Sequence, residues 1–298
     1  MDRLESMSVF VAVVAAGSFS AASRQLRMPL PTVSRKVAEI ESHLKAKLLV
    51  RSTRKLVLTE AGQAYVEDCK RILEAVSEAE RGASGQYNAP QGELTITAPV
   101  VFGRLHVVPV VTDFLRAYER VDVHLLLADR ALNLVEERVD LAVRIGALPD
   151  SRLVASKVGQ IRRVVCASPA YLQQHGTPRT PQDLMKHDCV TFAGLTDAGS
   201  WTFRDQETVR VHSRLVTSTA EAAIDAAAAG LGLTCTLSYQ IAEATQAGRL
   251  AVVLRKFEPA PLPVSLLYVH ESRITAKLRA FIDFAAPRIR AGLTAAAI

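Results

Sequence analysis

No stretch of this 298-residue sequence is apolar for long enough to cross a bilayer. The nearest candidate, Val9 to Ala16 before Gly17, is too short, and Asp2 and Glu5 deny it the basic leader of a signal peptide. Cysteine is sparse as well. Cys69, Cys166, Cys189 and Cys235 lie far apart and form no Cys-x-x-Cys, the usage of reduced thiols in a cytoplasmic protein rather than of a disulfide framework. No G-x-S-x-G, Walker or H-E-x-x-H pattern occurs, so no catalytic residue and no cofactor is expected. His187-Asp188-Cys189 has no second ligand pair nearby in sequence, so no metal is expected either. Gly230-Leu-Gly232-Leu-Thr-Cys235 looks like half of a dinucleotide fingerprint, but it lies between a helix and a following strand, the wrong order for phosphate binding. Close helix-to-strand packing explains it better. A redox switch through Cys166, Cys189 or Cys235 is an alternative to weigh against the commoner case of buried, inert thiols.

What is present is an ordinary globular composition, 49% apolar and 22% charged, long enough for two domains or so. The formal net charge is only +6, but it is unevenly placed. Between Arg24 and Lys55 stand nine cations (Arg24, Arg27, Arg35, Lys36, Lys45, Lys47, Arg51, Arg54, Lys55) against two acids, Glu39 and Glu41. A basic patch on an otherwise nearly neutral body suits a polyanionic partner; a solvated helix face is the plainer reading of such a cluster alone.

Residues 1–58 read as one unit. Leu4, Met7, Val11 and Val14 recur at helical spacing. Gly17 ends that helix and Ser18 caps the next, striped by Phe19, Ala22 and Leu26. After Pro29 and Pro31, a third helix is striped by Val33, Val37, Ile40 and Leu44. Leu48–Arg51 and Lys55–Leu58 read as a small hairpin. Thr59 then caps a helix over 59–86, about 40 Å long, whose Tyr65, Cys69, Ile72, Val76, Ala79 and Ala83 form a heptad seam suited to pairing with a second copy. Gly82–Gly92 has linker character, with 87–92 as the hinge.

Beyond it the texture changes to alternating strands and helices. Strands are expected at Glu93–Ala98, Val121–Ala128, Leu141–Ile145, Ile161–Ala167, Cys189–Phe192, Val209–Thr217, Leu231–Leu237 and Val264–Val269. Helices are expected over Phe102–Glu119 with a restart at Pro109, and at Leu132–Glu137, Pro169–Gln174, Thr219–Ala229 and Thr275–Arg288. The pattern implies an α/β domain over 93–298 with parallel sheets in two lobes, lobe 1 about 93–160 and 265–298, lobe 2 about 161–264. Ligands bind such sheets beyond the carboxyl ends of strands, near helix N-termini. Thr97, Pro99, Val100 and Phe102 follow the first strand, and Thr217, Ser218 and Thr219 start the alanine-rich helix. Hydroxyls beside helix dipoles suit a carboxylate or another polar oxygen, although each could equally be a simple cap.

Ser18–Leu26 and Thr32–His43 have the lengths of a helix-turn-helix. The second helix turns Thr32, Ser34, Arg35, Lys36 and Glu39 outward, and the hairpin offers Arg51, Arg54 and Lys55 as a wing would. The stretches "FVAVVAAGSFSAASRQL", "PTVSRKVAEIESHL" and "LLVRSTRKLVLTEAGQAYVEDCKRIL" resemble the DNA-binding head and linker helix of LysR-type transcriptional regulators. "LTITAPVVFGRLHVVPVVTDFLRAYERVDV", "VDLAVRIGALPDSRLVASKVG" and "AAAAGLGLTCTLSYQIAEATQAGRL" resemble the effector half of that family, in order.

The resemblance implies a winged helix-turn-helix head, a dimerising linker helix and a two-lobed effector domain like a periplasmic binding protein. It implies a transcriptional regulator in the cytoplasm, not an enzyme. The partners it implies are double-stranded DNA with dyad symmetry, a second copy of the chain (dimer, usually tetramer), a small-molecule effector and RNA polymerase. The DNA-contacting set carried over is Ser18, Ser20, Leu30, Thr32, Ser34, Arg35, Lys36, Arg51, Arg54 and Lys55, with Thr32 and Arg35 on bases and Ser34, Lys36, Arg51 and Arg54 on phosphates. Across the effector cleft it places Arg144, Ile145 and Gly146 beside the two hydroxyl clusters. One departure stands out. The family opens its recognition helix with serine then glutamine before the proline, and here Pro29 and Leu30 stand there. Pro29 cannot cap, a loss of about 1 kcal/mol. Leu30 cannot pair with adenine, though it can touch a thymine methyl. A ligand binder with no DNA role is the rival reading, supported by the rear two thirds and opposed by residues 18–58.

Overall fold

The structure is a computed structural model that describes residues 2–51, 56–83, 90–130, 133–134, 136–148, 153–192, 199–269 and 274–295. The chain divides into two units, Met1–Asn88 and Ala89–Ile298. Among the described residues no single helix is long and apolar enough to cross a membrane.

In the first unit, α1 (Arg3–Ala16) starts where Asp2 Oδ1 accepts from the Glu5 amide at 3.2 Å and stops at Gly17, which takes φ +69°. Its buried side chains are Ser6, Val9, Phe10 and Val13. The expected stripe is therefore rotated: Met7, Val11 and Val14 flank the core and Leu4 is exposed. Because α1 is apolar around most of its circumference, spacing alone did not choose the face. α2 (Phe19–Leu26) is capped by Ser18, whose Oγ accepts from the Ala21 amide at 3.1 Å. α3 (Leu30–Leu44) follows Pro29, which supplies no side-chain cap. Val33, Val37 and Ile40 are buried as the spacing requires, while Leu44, in the last turn, is exposed. β1 (Leu49–Arg51) and β2 (Leu56–Leu58) pair antiparallel, Leu49 opposite Leu58. Thr59 precedes α4 (Glu60–Ala83), accepting from the Gly62 amide at 2.9 Å. A Cβ on Gly62 would lie 2.0 Å from the Leu48 carbonyl oxygen, so glycine is what lets α4 meet the wing.

In the second unit, β3 (Gly92–Ala98) leads into α5 (Val100–Phe102), a π-helical turn over Gly103–Val107, and α6 (Val108–Ala117). Then come β4 (Val121–Leu127), β5 (Leu141–Ile145), β6 (Leu153–Ile161), β7 (Arg163–Ala167), α7 (Pro169–His175), β8 (Asp188–Phe192), β9 (Ser200–Thr202), β10 (Thr208–Arg210) and β11 (His212–Thr217). α8 (Ala220–Ala228), β12 (Leu233–Leu237), α9 (Ala242–Gln246), β13 (Ala251–Val253), β14 (Leu262–Val269) and α10 (Ala276–Ala295) complete it. Two five-stranded sheets result, β4-β3-β5-β14-β6 in lobe 1 and β11-β8-β12-β7-β13 in lobe 2.

The sheets are mixed, which corrects the expectation of parallel ones. β4, β3 and β5 are parallel to one another, as are β11, β8 and β12, but β14 is antiparallel to β5 and β6, and β7 is antiparallel to β12 and β13. The chain passes between lobes twice, once at Arg162 and once between β13 and β14, and the strand entered after each passage, β7 and then β14, runs against the rest of its sheet. Val209–Thr217 is not one strand but two, β10 in a hairpin with β9 and β11 on the edge of the lobe 2 sheet. The described part of Leu132–Glu137 forms turns rather than a helix. Gly232 sits where a Cβ would be 2.3 Å from the Asp188 carbonyl oxygen, so close packing requires that glycine, whereas Gly230 is set by its φ of +89°.

Lobe 1 packs α5, α6 and α10 on its sheet around Phe102, Phe114 and Phe281. Lobe 2 is filled on both faces, one around Trp201 and Phe203, the other under α8.

Candidate nucleic-acid interface and interlobe site

The outer side of α3 begins with Leu30, 42% exposed, flanked by Pro29 and Pro31. Thr32 and Ser34 are half-buried and Arg35 is exposed, its guanidinium 2.8 Å from Glu39 one turn on. Such an exposed i,i+4 pair is worth about 0.3–0.5 kcal/mol, little enough for Arg35 to exchange it for another anion. Ser18 and Ser20 are exposed on α2, although the Ser18 hydroxyl is occupied as a cap.

Lys36 does not point outward as expected. It is buried, and its Nζ pairs with Glu5 of α1, so it fastens α3 to α1 instead of meeting a phosphate. Arg54 and Lys55 lie outside the described residues, as does the side chain of Arg51. Arg24 and Arg27, left out of the expected contact set, are exposed beside the turn between α2 and α3, with Arg27 at φ 51°. Their place in the basic cluster was the available signal.

Glu41, on α3, is buried beneath the wing. It accepts from the Leu48 and Leu49 amides at 2.9 and 3.2 Å and from Lys47 at 3.0 Å. Burial alone would raise its pKa, but Lys47 and the two amides outweigh it and hold the carboxyl below its usual range.

The linker seam divides in two. Cys69 is fully buried in the head's own core and Tyr65 packs on it, with its ring 5.8 Å from Phe10. These two are intramolecular contacts, which corrects their assignment to a dimer seam. Ile72 and Ala79 are exposed and Val76 half-buried.

In lobe 1, β3 and β5 run parallel, so Pro99, Val100 and Arg144–Gly146 reach the same end of the sheet. In lobe 2, β8, β11 and β12 run parallel, and the pairings of β8 bring the end of β11 at Thr217 level with Thr236. The turn after β12 carries Tyr239, whose ring stands edge-on to Phe102 at 5.4 Å and to His106 at 5.5 Å across the lobes. The two sequence-expected clusters thus occupy the ends by which the lobes meet.

Not every member is available to a ligand. Thr97 is fully buried and donates to the Leu126 carbonyl at 2.9 Å, and Phe102 is fully buried in the core; both are corrected from cleft-lining to structural. The Val100 amide already donates to Asp129 Oδ1 at 3.0 Å. Thr219 caps α8, accepting from the Ala222 amide at 3.4 Å, and Thr217 donates to the Thr219 carbonyl at 2.9 Å. Ser218 is exposed, and Ile145 and Gly146 half-buried. Arg144 is half-buried, with one terminal guanidinium nitrogen enclosed and, among the described residues, without a hydrogen-bond partner; burial pulls its pKa down. Sequence reasoning missed His106, Asp129, Tyr239 and the Arg162–Glu258 pair, which carry no motif and meet only through the fold.

The four thiols are buried and unbridged. Burial pushes Cys69 up to about 11 and Cys189 and Cys235 up to about 12, and raises Cys166 too. Burial of this kind disfavours the thiolate on which a redox switch depends. Among the described residues no group of three His, Cys, Asp or Glu side chains is placed to hold a metal ion.

Residues 4–63 match the family model for the bacterial regulatory helix-turn-helix protein, lysR family, and residues 88–290 match the LysR substrate binding domain. The probable HTH-type transcriptional regulator LtrA of Klebsiella pneumoniae is 35% identical over 99% of this chain and 98% of its own. The structure of CrgA, a LysR-type transcriptional regulator from Neisseria meningitidis, is similar with a TM-score of 0.62 and 31% identity, covering 96% of this chain and 98% of that one. The full-length Vibrio cholerae virulence activator AphB, an LTTR family member, gives 0.60 and 29% over 95% and 98%. With a wing-bearing helix-turn-helix in front of a two-lobed effector domain, and relatives matched from end to end, the chain belongs to the LysR family of DNA-binding transcriptional regulators.

Proposed function

We propose that α3 enters the major groove of a dyad-symmetric operator, with Leu30, Thr32 and Arg35 toward base edges and Ser34, Arg51, Arg54 and Lys55 toward phosphates. The observation that carries this reading is the solvent face of α3, which presents Leu30 and Arg35 beside a basic cluster. Two copies pair through the free part of the α4 seam, at Ile72, Val76 and Ala79, and further pairing gives a tetramer. Residues 1–58 act as the DNA-binding domain, 59–86 as the dimerising helix, 87–92 as the hinge and 93–298 as the effector domain.

The effector is a small molecule with a carboxylate or similar oxygen, bound where the lobes meet. Arg144 supports this because its enclosed nitrogen lacks an acceptor. Binding shifts an equilibrium among oligomer shapes, and thereby the contact with RNA polymerase in the cytoplasm. The protein acts by binding, without catalysis.

A mobility shift against the DNA upstream of the chain's own gene, repeated with rising salt, tests the DNA half. Retention of that DNA over an unrelated duplex, weakening steeply with salt, is expected. Indifference to every operator-like duplex at low salt would leave only a two-lobed ligand binder. A thermal-shift screen of small acids against the full chain and its Arg144→Gln variant tests the effector half, since a true effector should lose its shift in the variant.

A further inference from the structure

The contact between the lobes encloses an imidazole. Leu237 and Tyr239, from the end of β12 and the turn after it, join the hydrophobic core of lobe 1 beside Phe102. His106 completes that contact. Its ring lies 4.8 Å from Phe102, four residues earlier on the same helix, and 5.5 Å from Tyr239 of lobe 2. On another side α10 approaches, where a Cβ on Gly292 would lie 3.4 Å from His106 Nδ1. Its Nε2 is enclosed and, among the described residues, without a hydrogen-bond partner. The π-helical turn Gly103–Val107 carries it, and such turns are frequent at functional sites.

The surroundings do not favour a positive charge on this ring. Its own turn contributes Arg104, the 238–241 turn contributes the Tyr239 phenol, and the end of α10 contributes Arg288 and Arg290. None of residues 100–107, 238–241 or 288–295 is an aspartate or glutamate. Farther along α6, Asp113 pairs with Arg116. β3 and β4 meet the π turn at Ala98 and Leu127; Glu93, Asp122 and His124 lie back along those strands, with Glu93 and His124 paired. Burial first, then Asp129 and Glu221, raises the Tyr239 phenol, so it stays neutral wherever an imidazole titrates. On His106 burial acts alone and pulls the imidazole below its ordinary value.

We propose that His106 is a proton-controlled latch between the lobes: neutral, it seats Leu237 and Tyr239 in lobe 1, and protonated, it draws water into the contact and releases them. The sign follows from linkage. An undocked imidazole takes its proton at the ordinary value of about 6.5, while the docked one resists until lower pH. Docking is therefore at full strength above that value and is lost as pH falls below it. Acid becomes an input to the regulator separate from any effector, because the latch acts on the lobe contact itself. It stands whether or not the interlobe site takes a carboxylate.

Hydrogen exchange of the full chain, read by mass spectrometry at about pH 7.5 and about pH 5.5 and corrected for intrinsic rates, tests it on either side of the imidazole value. Peptides covering 100–107 and 237–241 should lose protection at least fivefold at the lower pH. In His106→Phe, which keeps a ring and cannot be protonated, the loss should shrink to under twofold. Should that variant fail to fold by circular dichroism, His106→Leu takes its place. Slow exchange of the imidazole C2 hydrogen in the 100–107 peptide, followed over a pH series, gives the midpoint of His106 in the wild-type chain without any variant. That midpoint should fall below about 6.5. The proposal is overturned by a midpoint at or above that value, by protection that does not change with pH, or by an equal loss in the variant, which would assign the transition to another group.

Discussion

Glu41 shows how one carboxylate organises the head. It joins α3 to the wing through two amides and Lys47, none of which is near it in helical register. Replacing it with alanine leaves two buried N–H groups without acceptors, and a loss of roughly 2–3 kcal/mol is expected. The pH dependence has a definite sign. Its folded pKa is depressed, so its contribution is complete above the unfolded carboxylate value and is lost as pH falls through the folded one. Thermal melts of wild type and Glu41→Ala should therefore be well separated at neutral pH and converge in acid; a separation that does not narrow would contradict the assigned role. At the DNA surface, Arg54→Ala should weaken all duplexes and flatten the salt slope by about one, whereas Thr32→Ala should change which operators bind. Lys36→Ala, by contrast, should lower the melting temperature through the loss of its tie to Glu5 without flattening that slope. Titrations of the three variants over a salt series check this division between phosphate, base and structural contacts.

Among the elements, α4 serves two masters. Its first half belongs to the head, through Val66 and Cys69, and its second half leaves Ile72 and Ala79 exposed and Val76 half-buried, the face proposed above for pairing. A charge placed on the second half should break association and leave the head folded. Val76→Asp is expected to weaken dimerisation at least tenfold in sedimentation equilibrium, with the circular dichroism melt of the head unchanged. The heptad spacing was readable without the fold, but its division was not. Spacing says which residues share a helix face, and it is silent on whether that face meets its own domain or another copy. The same limit applies to Val209–Thr217, a continuous run of strand formers that Val211 interrupts, sending β10 and β11 to different sheets.

For the molecule as a whole, the effector domain is two sheets joined by two passages, and Arg162 and Glu258 clasp those passages together across 96 residues of sequence. The pair is mostly shielded, and Glu258→Ala should cost about 2 kcal/mol and loosen the angle between lobes. Small-angle scattering of the variant should show a wider spread of dimensions than wild type; identical profiles with an unchanged melt would mean the clasp carries no constraint.

The helix boundaries of the head and the α/β character of the rear domain follow from local chemistry. Gly17 at positive φ, the Ser18 and Thr219 caps and the prolines at 29 and 31 act within a turn or so of themselves, so they read the same in a string of letters as in the folded chain. Packing settled the rest: the buried side of α1, the inward turn of Lys36, and the structural duty of Thr97 and Phe102. Each of those depends on which distant segment comes to lie alongside, and free energies of burial and pairing are assigned only once the neighbours are in place.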